Sequence, residues 1–123
     1  SKIAKEKKLF IIEDCAQAFS ASYKGNQAGS FGHLSCFSFN PMKVLASIGD
    51  AGCITTNSDE LAEKIRMLRY CGLKGKSDSK YISLNHKIDT IQAAVLNVKL
   101  KSLDKVISRR REIAAVYNQE LSS

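Results

Sequence analysis

The sequence lacks several patterns that would assign it to a class of protein at once. Its four cysteines, at positions 15, 36, 53 and 71, are separated by 21, 17 and 18 residues. No Cys-x-x-Cys pair therefore indicates a zinc ribbon or a dithiol redox site. Neither histidine lies in a cluster with metal-ligand spacing. No apolar run approaches the roughly 20 residues that a membrane span needs. We expect a soluble chain without a metal or a membrane partner.

The cysteines themselves indicate a compartment. Three of them lie in runs of apolar or small residues, where a free thiol behaves as a small hydrophobic group. Disulfide pairing is the alternative, but reduced core thiols fit these surroundings better. Because disulfides are rare in the cytosol, reduced cysteines predict a cytoplasmic protein.

The formal net charge of +7 raises the question of nucleic acid, and Arg109, Arg110 and Arg111 stand together in a helical pattern. Consecutive helix residues point about 100° apart, so these three arginines spread around the helix and do not form one basic stripe. A solvated helix face accounts for them more simply than a nucleic-acid site. We therefore expect no nucleic-acid partner.

Strands and turns alternate through the first half of the chain. The segment Leu9–Ile12 is short, apolar and partly β-branched, which is typical of a strand buried on both faces of a parallel sheet. The segments Ser35–Phe39 and Ala51–Thr56 are predicted as further strands, and Pro41 ends the former because it has no amide donor. Glycines 25, 29 and 32 indicate turns and short extended pieces between them. The order predicts an α/β fold with a mostly parallel sheet flanked by helices.

Helices are predicted in the second half. Asn57 is expected to cap the first of them, with Glu60 completing a capping box and Gly72 ending the helix. The polar segment 74–80 is predicted to be a mobile loop.

A further helix is predicted to begin at Asp89, with Gln92 three residues on. No Gly or Pro interrupts residues 89–121, so one long helix and two helices joined near Ser102 both fit. The buried stripe expected on its first part consists of Ile91, Ala94, Val95 and Val98.

Two residues bear directly on chemistry. Asp14 stands at the end of the predicted first strand, where open α/β sheets bind ligands, and Lys43 follows the second strand. A lysine and a carboxylate so placed fit pyridoxal 5'-phosphate (PLP), whose aldehyde is held by an amine and whose ring nitrogen is held by a carboxylate. Taken singly, Lys43 could be a solvent-exposed lysine and Asp14 a helix-capping residue.

The motifs around these residues resemble one family over nearly the whole chain. The segments Glu13-Asp-Cys-Ala-Gln17, Gly29-Ser-Phe-Gly32, Cys36-Phe-Ser-Phe39 and Pro41-Met-Lys43 resemble the DegT/DnrJ/EryC1/StrS family of PLP-dependent sugar-nucleotide aminotransferases. The later run Leu84-Asn-His-Lys-Ile-Asp89 continues the match in order. The resemblance implies a fragment of the large PLP-binding domain of a fold type I aminotransferase. Residues 1–101 would belong to that domain, and residues 102–123 would form a helix leading towards a small C-terminal domain that the chain does not include.

The resemblance also implies roles for five residues. Lys43 would be the catalytic lysine that holds the cofactor, Asp14 would bind the ring nitrogen and Gln17 the ring 3-oxygen. Ser38 would bind the cofactor phosphate, although taken alone it could be a core serine. Asn85 would reach the cofactor phosphate of a neighbouring subunit, which implies a homodimer with a shared active site. Some relatives carry histidine at the position of Lys43 and catalyse dehydration, so the lysine favours amino transfer.

The implied function is transfer of an amino group, from glutamate as is common in the family, to a keto sugar linked to a nucleotide. The product would be an amino sugar for a glycan such as lipopolysaccharide or for a secondary metabolite. The alternative is a catalytically inactive regulatory or binding protein with an aminotransferase-like fold. We expect weak or no catalysis from the isolated 123-residue chain.

Overall fold

A computed structural model describes residues 2–122 and contains four helices and seven short strands. Their order along the chain is α1 (Lys2–Lys7), β1 (Ile12–Asp14), β2 (Ser22–Tyr23), β3 (Asn26–Gln27), β4 (Leu34–Ser38), β5 (Gly52–Thr55), α2 (Asp59–Arg69), β6 (Leu73–Lys74), β7 (Asp78–Ser79), α3 (Thr90–Leu100) and α4 (Leu103–Glu120).

The main sheet has the strand order β1-β4-β5. Strands β1 and β4 run parallel, with Asp14 opposite Cys36, and β4 and β5 run antiparallel, with Cys36 opposite Ile54. The predicted α/β class with helices flanking a sheet is therefore confirmed, and the sheet of this segment is mixed. The first strand begins later than the sequence predicts, at Ile12 in place of Leu9.

The core lies where the end of β4 meets α3. Phe39, Leu45 and Leu96 are buried there. Phe19 packs edge-on against Phe37 and Phe39, with ring centroids 5.7 and 5.9 Å apart. Aromatic pairs at such distances favour this edge-to-face geometry. The core thus lies directly beneath the loop that follows β4.

Two small hairpins lie outside the main sheet. Strands β2 and β3 are joined by Lys24 and Gly25, both with positive φ (49° and 81°), as a two-residue hairpin turn requires. The prediction of a mobile loop over residues 74–80 is wrong, because β6 and β7 pair there. Their two-residue strands are too short to show an alternating apolar pattern, which explains why the sequence concealed them.

The N-cap of α2 differs from the predicted one. Ser58, not Asn57, occupies the cap position, and its hydroxyl accepts a hydrogen bond from the amide of Leu61 at 3.3 Å. The predicted capping box with Glu60 is therefore not formed. At the other end, Tyr70 is the C-cap, and Cys71 and Gly72 follow with positive φ (53° and 68°). Gly72 thus lies just past the helix end, but Cys71 is the first left-handed residue.

Replacing Ser58 by alanine tests this assignment. We expect the change to lower the free energy of unfolding by about 1 kcal/mol, because a helix amide loses its partner. Asn57→Ala is the matched control and should change the stability much less. Thermal unfolding of the two variants decides between the neighbouring residues, and a larger loss from Asn57→Ala would contradict the cap.

The last part of the chain forms two helices, which resolves the alternatives left open near Ser102. Asp89 is the N-cap of α3, as predicted, but its side chain makes no capping hydrogen bond. The predicted buried stripe is wrong. Ile91 and Val98 are 64% and 68% exposed, whereas Leu96 is only 7% exposed. The face of α3 that meets the core is therefore the neighbouring one.

The four cysteines are free thiols, of which Cys15 is buried and Cys53 exposed. Over residues 2–122, no helix is both long and apolar enough to cross a membrane. The same residues contain no group of three or more histidines, cysteines or carboxylates that could hold a metal ion.

Candidate active site

The candidate site lies at the edge of the sheet where the parallel strands β1 and β4 both end. Asp14 is the last residue of β1 and lies opposite Cys36. Ser38, two residues after Cys36, ends β4 and shares the sheet face of Asp14, because side chains alternate along a strand. The carboxyl ends of parallel strands are where open α/β sheets bind ligands.

Lys43 lies in the loop of residues 40–50 between β4 and β5, hereafter the Lys43 loop. Asn40 closes the base of this loop, because its side-chain nitrogen Nδ2 donates a hydrogen bond to Asp50 Oδ1 at 2.9 Å. The side-chain oxygen of Asn40 accepts from the amide of Met42 at 3.1 Å, and its backbone oxygen accepts from the amide of Lys43 at 2.9 Å. Lys43 therefore follows a tight turn at the end of β4.

Asp14 and Gln17 lie together in the turn that follows β1. Asp14 Oδ1 accepts a hydrogen bond from the amide of Ala16 at 3.0 Å, and the amide of Ala18 donates to the oxygen of Cys15 at 3.0 Å. Both side chains are exposed at this edge. The structure thus brings Asp14 and Gln17 to the same end of the sheet as Ser38 and the Lys43 loop.

Asn85 lies elsewhere in the chain. It forms an isolated antiparallel bridge with Tyr70, just beyond α2, and its side-chain oxygen accepts from the amide of Lys87 at 3.1 Å. Among residues 2–122, no hydrogen bond links Asn85 to the other four predicted site residues. A role in a neighbouring subunit's site stays a prediction.

The polar groups of this edge are largely uncommitted, which provides a test of whether they fit PLP. Within residues 2–122, neither the Lys43 amine nor the Gln17 side chain has a hydrogen-bonding or ionic partner, and Asp14 uses only Oδ1. The Ser38 hydroxyl accepts from the amide of Asn40 at 3.3 Å and so keeps its proton to donate. An amine, a carboxylate and a hydroxyl donor are the groups that the aldehyde, ring nitrogen and phosphate of PLP require. The residues fit the cofactor.

Two cavities in the described part of the chain have other linings. One cavity, of about 410 Å³, lies between α1 and the side chains of Phe10, Phe31 and His33. A groove of about 1000 Å³ separates α2 from β5 and includes Arg66 and His86. None of the five predicted site residues lines either cavity. The candidate site is thus separate from both of these cavities.

Glu13 is the residue that reasoning from the sequence undervalued. It faces away from Asp14, and its carboxylate accepts hydrogen bonds from the amides of Gly29 (2.8 Å), Phe31 (2.7 Å) and Gly32 (2.6 Å). The hydroxyl of Ser35, which lies opposite Glu13 in the sheet, adds a fourth at 3.2 Å. A carboxylate followed by a loop with two nearby glycines was the signal available in the sequence.

These hydrogen bonds set the ionisation of Glu13. Burial by itself raises the pKa of a carboxyl group, but the amides of Gly29, Gly32 and Phe31 and the hydroxyl of Ser35 favour the charged form. The hydrogen bonds outweigh burial, so the pKa of Glu13 lies below its ordinary value. A charged Glu13 thus ties the segment before β4 to β1, next to Asp14.

Comparison with known proteins identifies the family of this chain. A model of the DegT/DnrJ/EryC1/StrS aminotransferase family matches residues 1–123. The chain belongs to this family. It is 46% identical over 121 residues to the dTDP-3-amino-3,6-dideoxy-alpha-D-galactopyranose transaminase of Aneurinibacillus thermoaerophilus, covering 98% of this chain and 33% of that protein. It is 44% identical over 119 residues to a pleiotropic regulatory protein of Geobacillus stearothermophilus, covering 97% and 32%.

A solved structure supports the fold of this family member. The crystal structure of a DegT DnrJ EryC1 StrS aminotransferase from Brucella abortus matches with a TM-score of 0.94 and 40% identity, covering 98% of this chain and 33% of that chain. The predicted fold class, a fragment of a fold type I aminotransferase domain, is therefore confirmed. The chain spans about a third of the length of these relatives.

Proposed function

We propose that this chain carries the cofactor-holding part of a PLP-dependent aminotransferase that acts on a keto sugar linked to a nucleotide. The observation that carries the proposal is the grouping of Lys43, Asp14 and Ser38 at one sheet edge with their chemically useful atoms uncommitted. When bound, PLP withdraws electrons from the carbon that gains or loses the amino group.

Each residue would supply one property of the site. Lys43 would hold the cofactor aldehyde and, once released, move a proton at the reacting carbon with its amine. Asp14 would keep the ring nitrogen protonated, and Gln17 would donate to the ring 3-oxygen. Ser38 would donate its remaining proton to the phosphate. The loop and the two strand ends would orient these groups from three separate segments.

The substrate class follows from the relatives and stays a proposal for this chain. The transaminase of Aneurinibacillus is named for a dTDP-linked amino sugar, and it matches nearly all of this chain. We propose a nucleotide-linked keto sugar as acceptor and glutamate as amino donor, in the cytoplasm. Asn85, whose side-chain nitrogen has no partner within residues 2–122, would serve a second subunit of a homodimer. A chain that sediments only as a monomer would contradict that shared site.

Replacing Lys43 by alanine tests the cofactor assignment. The wild-type chain, incubated with PLP and reduced with borohydride, is expected to retain the cofactor on Lys43 after digestion and mass spectrometry. Lys43→Ala should abolish this label, whereas Lys24→Ala, which removes an exposed lysine, should leave it unchanged. The visible absorption band of bound cofactor should follow the label.

Catalysis is tested separately, because the isolated chain is expected to have little. Residues 1–123 can replace the matching third of the Aneurinibacillus transaminase, with Lys43→Ala as the control. Transfer from glutamate to a dTDP-linked keto sugar by the hybrid would support the proposal. Absence of the Lys43 label in the wild-type chain would contradict it and favour the regulatory alternative, for which the Geobacillus relative is named.

A further inference from the structure

The Lys43 loop is attached to α3 at three points. The amide of Ile48 donates to Gln92 Oε1 at 2.9 Å, and the ammonium group of Lys99 donates to the backbone oxygen of Ala46 at 2.7 Å. On the helix, Leu96 lies between Gln92 and Lys99 and is buried in one cluster with Leu45 of the loop. Two polar contacts therefore flank one apolar contact.

The three contacting residues of α3 form a single stripe. Gln92, Leu96 and Lys99 stand at positions i, i+4 and i+7, which lie on one face of a helix. The stripe is therefore a continuous surface about two turns long. A helix is a more rigid support than a loop, so groups held by this stripe are positioned by α3.

The loop has a second support at Phe39, just after β4. Ser47, which lies between the two residues bonded to α3, is only 2% exposed. Both its amide and its hydroxyl donate to the backbone oxygen of Phe39 at 2.7 Å. The backbone of residues 45–48 is thus held between the end of β4 and α3.

Lys43 gains its position from this backbone. Its side chain has no hydrogen-bonding partner within residues 2–122, so nothing but the loop and its packing directs the amine. Gly49 lies against the amide group of Gln92, and a Cβ there would overlap that group. The loop and Gln92 are therefore closely fitted.

We propose that Gln92 and Lys99 are positioning residues for Lys43, acting through the amide of Ile48 and the carbonyl of Ala46. The inference rests on the proposed function, in which the Lys43 amine holds the cofactor. Gln92 is expected to have a larger role than Lys99. Its partner is the backbone amide of the exposed residue Ile48, and without the bond to Gln92 this amide hydrogen would exchange freely with water.

The first readout is amide hydrogen exchange of the wild-type 123-residue chain and its variants. In Gln92→Leu the Ile48 amide loses its acceptor and should exchange at least about tenfold faster. The amide of Phe39, which donates to the backbone oxygen of Ala51 just outside β4 and β5, should keep its rate. Gln92→Glu keeps the acceptor oxygen and should restore the slow exchange, and Asn97→Leu on the same helix is the control.

The second readout is the share of borohydride-trapped PLP found on Lys43 relative to the exposed Lys24. We expect Gln92→Leu to reduce this ratio several-fold and Gln92→Glu to restore it. Lys99→Met should reduce it less, Lys99→Arg should restore it, and Lys101→Met should have no effect. A purely structural role would lower the melting temperature without this pattern of rescue. If Gln92→Leu does not fold, Lys99→Met provides the same test.

The possible results distinguish failure of the proposed function from failure of the positioning role of Gln92 and Lys99. No label on Lys43 in the wild-type chain would overturn the proposed function and, with it, a role towards the cofactor. Label on Lys43 that is unchanged in both Gln92→Leu and Lys99→Met would overturn only the positioning role. Unchanged exchange of the Ile48 amide in Gln92→Leu would likewise overturn it, whatever the cofactor does.

Discussion

Replacing Gly72 by alanine is expected to lower the free energy of unfolding by about 2–5 kcal/mol. The residue is buried, has φ of +68°, and a Cβ built on it would overlap the backbone oxygen of Tyr81. The left-handed conformation costs an L-residue about 1–2 kcal/mol, and forced repacking typically adds about 1–3 kcal/mol. A carbonyl oxygen cannot swing aside as a flexible side chain does, so the hairpin β6–β7 would have to shift.

Gly75→Ala is the matched control, because Gly75 also has positive φ (+78°) but has no atom within 4 Å of a built Cβ. Gly75→Ala should lower the free energy of unfolding only by the cost of the left-handed backbone conformation, about 1–2 kcal/mol. Urea unfolding of both variants gives the comparison. Equal losses from the two substitutions would show that the Tyr81 carbonyl yields easily and that the contact at the end of α2 contributes little.

The stripe on α3 shows why hydropathy alone misplaced a helix face. The predicted stripe of Ile91, Ala94, Val95 and Val98 is the more apolar one. Yet Leu96 is the residue of α3 that enters the core, and Gln92 and Lys99 on the same face bond to the Lys43 loop. Two of those three residues are polar because they bond to backbone groups of the Lys43 loop. Hydrophobic periodicity identifies the most apolar face of a helix. It takes no account of polar contacts between the helix and a distant loop.

The placement of the candidate site residues was more predictable than that of the residues that support them. Asp14, Ser38 and Lys43 follow the ends of predicted strands, and the carboxyl ends of parallel strands meet at one edge of a sheet, so the strand pattern was enough to predict their grouping. Glu13 and Gln92 act on segments 16 to 44 residues away, and such pairings depend on the register of β1 with β4 and on the docking of α3. Asn85 lies apart from this edge, and only a second subunit would explain its predicted role.

The Glu13 carboxylate connects β1 to the segment before β4. Glu13→Gln should lower the free energy of unfolding by about 2–4 kcal/mol at neutral pH. Glutamine keeps one acceptor oxygen, but its amide nitrogen would face the Gly29 amide, which now donates to Oε2, and leave that donor unpaired. The remaining hydrogen bonds from Phe31 and Gly32 would lose the negative charge that strengthens them.

The loss should depend on pH in a definite direction. Because the folded-state pKa of Glu13 lies below its unfolded value, its stabilisation is fully present above the unfolded pKa, about 4.3, and disappears as the pH falls through the folded pKa. The stability curves of wild type and Glu13→Gln should therefore converge in acid. The control is Glu63→Gln: hydrogen bonding and charge from Lys74 lower the pKa of Glu63, but the pair is exposed, so little stability should change. A constant difference between Glu13→Gln and wild type down to low pH would mean that shape, and not charge, makes Glu13 the anchor of this edge.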